Sequence, residues 1–289
     1  LNLSRGGETT HACMPGCLIQ CSNVYADEDG EEICSPVEYE TLGLMGSNCG
    51  LDDPDDVARL NNVANDLGVD TIEVGAMLGV LMEAGEGKFG DPVFMANALE
   101  DIRKGTERGK MLAQGTARVG EHYGIDRIPT VKKQGISAYD PRVIEVTGIS
   151  MMVTAQGADH TTGNIPAFQC DDKTTEELVE ASLEIQTICA AADSLGLCLF
   201  GRTVTNESID FVVDALNEAH GTKFDESKFM EIGREALEME WQFNKDAGFT
   251  DDDDEMPDFF INEALAPSGK KHRHTSMEVN KHLRTLINA

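Results

Sequence analysis

Three closely spaced cysteines place the strongest constraint on how this chain can fold. Cys13, Cys17 and Cys21 are separated by three residues each, and a Pro-Gly pair between the first two predicts a turn. A short loop of this kind can bring its thiols to one soft metal centre, which needs a fourth ligand from elsewhere. Cys198 is the best distant candidate, so the set predicts either an iron–sulfur cluster or a tetrahedral zinc site.

Acidic residues dominate the charge of the chain. The 289 residues include 52 Asp and Glu against 23 Lys and Arg, a formal net charge of -29. Such a surface repels nucleic acid, so we expect no nucleic-acid partner. It also suits a host rich in salt, because salt screens the repulsion between the acidic residues. No apolar run reaches the length of a membrane span. Clustered cysteines without disulfide-like spacing favour a reducing compartment, and we expect a cytoplasmic location.

Helical patterns recur along a chain that is long enough for two domains. Acidic caps, helical spacing of apolar residues and terminal glycines predict the helices. Two short extended runs, 23–26 and 31–34, predict one β-hairpin around an Asp-Glu-Asp-Gly loop. The predicted helices are Asp52 to Gly68, Thr71 to Glu83, Asp91 to Lys104, Met111 to His122, Thr174 to Asp193, Asn206 to His220 and Asp225 to Lys245.

The stretch from Ile128 to Gly163 interrupts these patterns. It is rich in Gly and Pro and has few periodic positions, which predicts an irregular, functional segment at the junction of two domains. We therefore expect a mostly α fold of two helical domains with one small β-hairpin. The first domain is expected to cover residues 1–144 and the second residues 145–289.

Two carboxylates, Glu38 and Glu40, lie at the start of a predicted helix that has Pro36 in its first turn. Near the first turn they would lie at the positive end of the helix dipole, which stabilises negative charge. From the residues alone, this structural role and a role in a site weigh equally.

Several separated motifs together resemble the tungsten-dependent aldehyde:ferredoxin oxidoreductase family. Each motif is weak alone, but their order and spacing agree over essentially the whole chain. The resemblance covers the second and third domains of the family, both largely helical, and implies that its β-rich first domain lies outside this chain, which alone would be inactive. The motifs are the three cysteines, EYE at 38–40, NDLGVDTI at 65–72, AYDPR at 138–142, GADH at 157–160, DSLGLC at 193–198 and FNKDAGFT at 243–250.

The resemblance implies two kinds of redox cofactor. A four-iron, four-sulfur (4Fe-4S) cluster would be held by Cys13, Cys17, Cys21 and Cys198 and would pass electrons to ferredoxin. Two pterins that ligate tungsten, or molybdenum, would bind one loop from each domain. The implied pterin-binding residues are Asn65, Gly68 and Val69 in the first loop and Asp193, Gly196 and Leu197 in the second.

The resemblance also places His160 and a glutamate, either Glu38 or Glu40, beside the substrate. Oxidising an aldehyde to a carboxylic acid requires protons to leave with two electrons, and an imidazole and a carboxylate can accept them. A lone His is otherwise more often a hydrogen-bonded structural residue. The implied partners are a small aldehyde and ferredoxin, and a homodimer is compatible with this family.

Three positions depart from the family pattern. The family commonly has two residues between its first two cluster cysteines, where this chain has three. Asn65 stands where the family usually has Asp, so its amide accepts hydrogen bonds without carrying charge. The Glu-x-x-His pair with which some members bind a metal between subunits would fall at Arg59 and Asn62, so we expect no such metal.

Three other interpretations compete with aldehyde oxidation. The chain could serve another reaction of the same family, as in its aromatic-ring-reducing relatives. It could be a radical S-adenosylmethionine enzyme, but that motif needs two residues in its last gap, where this chain has three, and alternating strands and helices afterwards. It could also be a helical module with a structural zinc on the same four cysteines, which would be colourless, whereas an iron–sulfur cluster is brown.

Overall fold

The structure is a computed structural model that describes residues 1–201 and 207–287, and it is predominantly helical, which confirms the predicted fold class. The chain divides into two compact units, Leu1–Ala138 and Tyr139–Ala289. The domain boundary proposed after residue 144 stays a prediction. Asn206, where one helix is predicted to begin, lies outside the described residues. Within those residues, no helix combines the length and the apolar character that crossing a membrane requires.

Unit 1 begins with a small antiparallel sheet and continues with helices. The predicted hairpin corresponds to strands β2 and β3, and β1 adds a third strand in the order β1-β2-β3. A second, two-stranded hairpin follows the helices. The strands are β1 Glu8–His11, β2 Ser22–Ala26, β3 Glu32–Cys34, β4 Thr130–Val131 and β5 Gln134–Gly135, and the helices are α1 Tyr39–Thr41, α2 Pro54–Leu67, α3 Thr71–Glu83, α4 Pro92–Lys104, α5 Glu107–Leu112 and α6 Thr116–Tyr123.

Aspartates begin the main helices of unit 1. Asp53 caps α2, Asp70 caps α3 and Asp91 caps α4, and each carboxylate accepts a hydrogen bond from a first-turn N–H. These N–H groups have no partner within their helix, so each cap contributes about 1 kcal/mol. Part of the acidic excess of the chain therefore stabilises helix starts.

The single helix predicted from Met111 to His122 is wrong, because α5 ends at Leu112 and α6 begins at Thr116. Between them Gly115 has a φ of +87°, which ends helical geometry. The Glu73 carboxylate of α3 accepts hydrogen bonds from the N–H groups of Thr116, at 2.5 Å, and Gly135, at 2.7 Å. Gly115 is the sequence signal of this break, whereas the contact to Glu73, 43 residues before Thr116, is visible only in the fold.

Unit 2 contains a helix that the sequence pattern did not predict. Every residue of α7 is buried, so this helix has no amphipathic pattern, and its position within 128–163 contradicts the expectation of an irregular stretch there. The described helices of this unit are α7 Glu145–Val153, α8 Thr175–Ser194, α9 Ile209–His220, α10 Glu226–Ala247, α11 Asp258–Asn262 and α12 Ser276–Ile287.

The longest helices of unit 2, α8 and α10, pack directly on each other. Gly233 of α10 allows this approach, because a Cβ atom there would lie 1.9 Å from the backbone oxygen of Thr187. Phe229, one turn earlier, is buried in the same contact region beside Ala191. The helix pair fixes the position of the loop that follows α8.

We predict that Gly233→Ala destabilises the chain by about 1–3 kcal/mol, because a backbone oxygen cannot move aside as a side chain can. Alanine stabilises a helix by about 1 kcal/mol relative to glycine. The sign of the change in the free energy of unfolding therefore shows which effect is larger. Urea unfolding measures the difference, with Glu235→Ala on the exposed side of the same helix as the control. A Gly233→Ala variant as stable as the parent would contradict this close contact.

A buried ionic cluster ties the C-terminal segment to α7. The Glu145 carboxylate accepts hydrogen bonds from Arg273 at 2.6 Å and from His274 at 3.0 Å. His272 is 2% exposed beside His274, with ring centroids 5.4 Å apart. No hydrogen bond of ordinary geometry reaches either ring nitrogen of His272 among the described residues. Burial, and then the nearby His274, lower the pKa of His272 to about 4.

We predict that His272 makes the chain lose stability as pH falls from 6.5 towards 4. Between these pH values His272 binds a proton in the unfolded chain but not in the folded one. Its contribution to the free energy of unfolding is therefore full above pH 6.5 and is lost as the pH falls towards 4. The expected loss is about 2–3 kcal/mol. Urea unfolding across this range compares the parent with His272→Leu, and the exposed His220→Leu is the control. Equal pH dependence in the parent and His272→Leu would contradict the prediction.

Candidate functional site

The three clustered cysteines lie on the loop between β1 and β2. Cys13 and Cys21 are exposed, and Cys17 is partly buried. The Cys17 N–H donates to the Met14 oxygen over 3.3 Å and Gly16 has a φ of +83°, so the predicted turn forms between the first two thiols. All eight cysteines fall within the described ranges, and none of them is in a disulfide. The loop thus presents three reduced thiols.

A buried carboxylate holds the sheet that carries this loop against α2. Asp55 accepts hydrogen bonds from the Arg5 guanidinium, at 2.5 Å, and from the Tyr25 hydroxyl, at 2.8 Å. The bond from Arg5 lowers the pKa of Asp55, and burial together with Asp55 raises the pKa of Tyr25 to about 12. Asp55 therefore stays ionised near neutral pH and fixes the base of the cysteine loop.

The fourth predicted ligand, Cys198, lies in unit 2, where it is exposed and follows the end of α8. In the part of the chain that the structure describes, no three His, Cys, Asp or Glu side chains are grouped closely enough to hold a metal ion. The set Cys13, Cys17, Cys21 and Cys198 therefore stays a prediction. Its chemistry, four reduced cysteines on loops, fits the four thiolates that hold an iron–sulfur cluster.

The two loops predicted to bind pterins have the same backbone geometry. Residues 65–69 end α2 and residues 193–197 end α8, with Gly68 and Gly196 both at a φ of +69°. In each, the residue after the glycine donates to the carbonyl five residues earlier, at 3.1 Å for Val69 and 2.9 Å for Leu197. Both are thus helix ends closed by a left-handed glycine.

Both helix ends offer space and oxygen acceptors to a flat, N–H-rich ring, and the same glycine-closed geometry recurs at Gly105, Gly124 and Gly248. A Cβ atom on Gly68 or Gly196 would meet nothing within 4 Å, so open space lies beside each backbone turn. Asn65 and Asp193, at equivalent positions, are exposed and offer oxygen acceptors next to the last helix carbonyls. The residues present at both ends therefore fit a pterin ring edge, although their individual roles stay predictions.

Of the two candidate glutamates, only Glu40 is held in position by hydrogen bonds that the structure shows. The Ala138 N–H donates to Glu40 Oε2 over 2.8 Å, and the Tyr39 hydroxyl donates to the Ala138 oxygen over 3.0 Å. Glu38 occupies the N-cap position of α1 without a capping hydrogen bond from its side chain, and it is exposed. A carboxylate that is oriented by its neighbours suits proton transfer better than one that moves freely in solvent.

His160 lies on the loop that follows α7, between the Tyr139 ring and the Asp159 carboxylate. Its ring stacks on Tyr139 with centroids 5.2 Å apart, and its Nδ1 lies 3.9 Å from Asp159 Oδ1. Asp159 is buried and accepts hydrogen bonds from the Thr161 N–H and hydroxyl. These contacts orient the imidazole, which is what a proton-transfer group needs.

Two further carboxylates lie near Asp159, and sequence analysis missed one of them. Asp193 and Glu240 both border solvent, yet partial burial, and then neighbouring carboxylates, raise the pKa of each. The negative charge of Asp159 raises the pKa of both, and that of Asp193 also raises the pKa of Glu240. Glu240 lies on α10, three residues before the motif at 243–250 and outside it, so only the fold shows that it belongs to this region.

Comparison with known proteins gives consistent matches. A family model described as "Aldehyde ferredoxin oxidoreductase, domains 2 & 3" matches residues 4–287. The chain is 29% identical over 283 residues to the tungsten-containing aldehyde ferredoxin oxidoreductase of Pyrococcus furiosus, over 90% of this chain and 46% of that protein. It is 32% identical over 200 residues to the aliphatic sulfonate oxidoreductase, WOR-like subunit, of the same organism, over 60% of this chain and 31% of that one.

A solved structure shares the fold. The active site complex BamBC of benzoyl coenzyme A reductase, in complex with 1,5-dienoyl-CoA, superposes with a TM-score of 0.74 at 14% sequence identity, covering 98% of this chain and 50% of that chain. The chain thus spans about half the length of the relatives that it matches. The predicted family resemblance and fold class are confirmed.

Proposed function

Because the chain belongs to the aldehyde ferredoxin oxidoreductase family, we propose that it forms the second and third domains of an enzyme that oxidises an aldehyde and reduces ferredoxin. The observation that carries this proposal is the match of the family model over residues 4–287, and the helix ends at 65–69 and 193–197 are where the family resemblance would place the pterins. The relatives that are named tungsten-containing support a tungsten–pterin cofactor.

The proposed reaction converts an aldehyde and water into a carboxylic acid, two protons and two electrons. The bound metal–pterin group would supply the acceptor for the electron pair, and a 4Fe-4S cluster would pass the electrons singly to two ferredoxins. In this chain, Asn65 and Asp193 would hold pterin edges, and Cys13, Cys17, Cys21 and Cys198 would hold the cluster.

The side chains described above would manage the protons of this reaction. A neutral His160 imidazole can accept a proton, and the nearby Asp159 carboxylate stabilises the imidazolium that results. Tyr139 limits the rotation of the ring by stacking on it. Glu40, with one oxygen held by the Ala138 N–H, can accept the second proton.

We predict that His160→Ala in the full-length enzyme lowers aldehyde-dependent reduction of a viologen dye by about a hundredfold, the loss typical of a general acid–base group. Tungsten and iron contents should stay at the levels of the parent, since His160 is not a predicted ligand. The control is His220→Ala, at the exposed end of α9. Full activity in His160→Ala with normal tungsten would remove this residue from the mechanism.

We predict that Glu40→Gln lowers turnover by about a hundredfold, whereas Glu38→Gln changes it less than about twofold. Glutamine at position 40 keeps an oxygen that accepts from Ala138, so the melting temperature should change little and the loss would report the missing proton acceptor. The two variants control for each other. The reverse pattern would assign the proton-transfer role to Glu38.

A second candidate function is another reaction within the same family. The match to an aliphatic sulfonate oxidoreductase subunit and the fold shared with a benzoyl coenzyme A reductase complex favour it, because the same domains serve different substrates in those proteins. Assaying the full-length enzyme with sulfonates and with aromatic thioesters beside aldehydes decides between them. Activity with sulfonates or thioesters and none with aldehydes would replace the first proposal.

A further inference from the structure

An open groove of about 430 Å³ lies in unit 2, between α10 and the loop that follows α7. Its walls combine apolar and polar side chains, and Thr162, two residues after His160, is one of them. The Thr162 hydroxyl oxygen is buried and has no hydrogen-bond partner among the described residues. The lining includes Ala155, Gln156, Thr162, Met239, Glu240 and Phe243.

Two hydrogen bonds hold the walls of this groove together. The indole N–H of Trp241 donates to the Val153 oxygen over 3.1 Å, and the Asn244 side-chain amide donates to the Ala155 oxygen over 2.7 Å. Both donors lie on α10, and both acceptors lie at the end of α7 or just after it. These bonds therefore hold the loop after α7 against α10 within the folded unit.

The sequence around the groove is almost without basic residues. Residues 143–201 contain nine Asp and Glu but one Lys, Lys173, which pairs with Glu177 at 3.2 Å. On the α10 wall, residues 235–244 contain three Glu and no Lys or Arg, and the flanking Arg234 and Lys245 do not line the groove. Asp159, Asp193 and Glu240 act on one another electrostatically. An anionic ligand here would therefore meet repulsion and no compensating cation from these segments.

Glu240 disfavours an anion when it is ionised, because a carboxylate repels negative charge. The protonated acid would instead donate a hydrogen bond to a neutral or an anionic oxygen. Met239 and Phe243, which are 68% and 73% exposed, offer apolar surface to the body of a ligand. The lining thus matches an uncharged molecule with an apolar body and oxygen acceptors.

We propose that this groove receives the body of an uncharged substrate and that Glu240 is a specificity-determining residue, which rejects substrates that carry a carboxylate or phosphate. The inference rests on the proposed function, because the substrate is taken to be oxidised beside His160. It adds a substrate class to that function: neutral aldehydes are accepted and anionic aldehydes are excluded.

The test uses the full-length enzyme and two aldehydes of nearly equal shape, 4-formylbenzamide and 4-formylbenzoate, which differ in charge. We expect kcat/KM in dye reduction to be at least about tenfold higher for the amide, mainly through KM, since a repelled substrate binds more weakly. Glu240→Gln should lower the ratio of kcat/KM for the benzamide to that for the benzoate about tenfold, by raising kcat/KM for the benzoate. Both substrates are measured at one ionic strength.

The matched control is Glu238→Gln, because Glu238 is exposed on the same helix, two residues away, and does not line the groove. Equal kcat/KM for the two aldehydes in the parent, or an unchanged ratio in Glu240→Gln, would overturn the assignment while leaving aldehyde oxidation intact. An equal shift in Glu238→Gln would also overturn it, because a general surface charge would then explain the selectivity. A parent enzyme that oxidises neither aldehyde, nor any other, would instead refute the proposed function.

Discussion

A left-handed glycine after the last turn of α2, and another after the last turn of α8, close the two helix ends that are proposed to bind pterins. Gly68 and Gly196 share one φ value and one hydrogen-bonding pattern. An L-residue with a side chain adopts this conformation only at a cost, so both positions favour glycine. Each glycine turns the chain sharply and leaves the last helix carbonyls, together with Asn65 or Asp193, beside open space.

Much of the fold could be predicted because local chemistry determined it. The aspartate caps, the terminal glycines and the turn between Cys13 and Cys17 are all encoded within a few residues of where they act. Helix α7 could not be predicted, because a helix buried on every side has no periodic pattern. The carboxylate that supports the break before Thr116 was also hidden, because Glu73 is close in space and distant in sequence.

In the candidate site, too, some features could be predicted from local sequence and others could not. Its motif residues were visible in the sequence, whereas the contacts that orient them were not: Tyr139 stacked on His160, and the Ala138 N–H on Glu40. Glu240 lies outside every motif, but the lack of basic residues over 143–201 is readable in the sequence and signals an anion-excluding region. Acidic residues thus serve two purposes in this chain, as helix caps and as a local field around the groove.

The most direct test of this account is elemental analysis of the purified full-length protein together with its visible spectrum. The account predicts tungsten or molybdenum together with about four iron atoms per chain, and the broad brown absorption of an iron–sulfur cluster. Zinc bound at the four cysteines of a colourless protein, without tungsten, molybdenum or iron, would contradict it and favour a structural metal site.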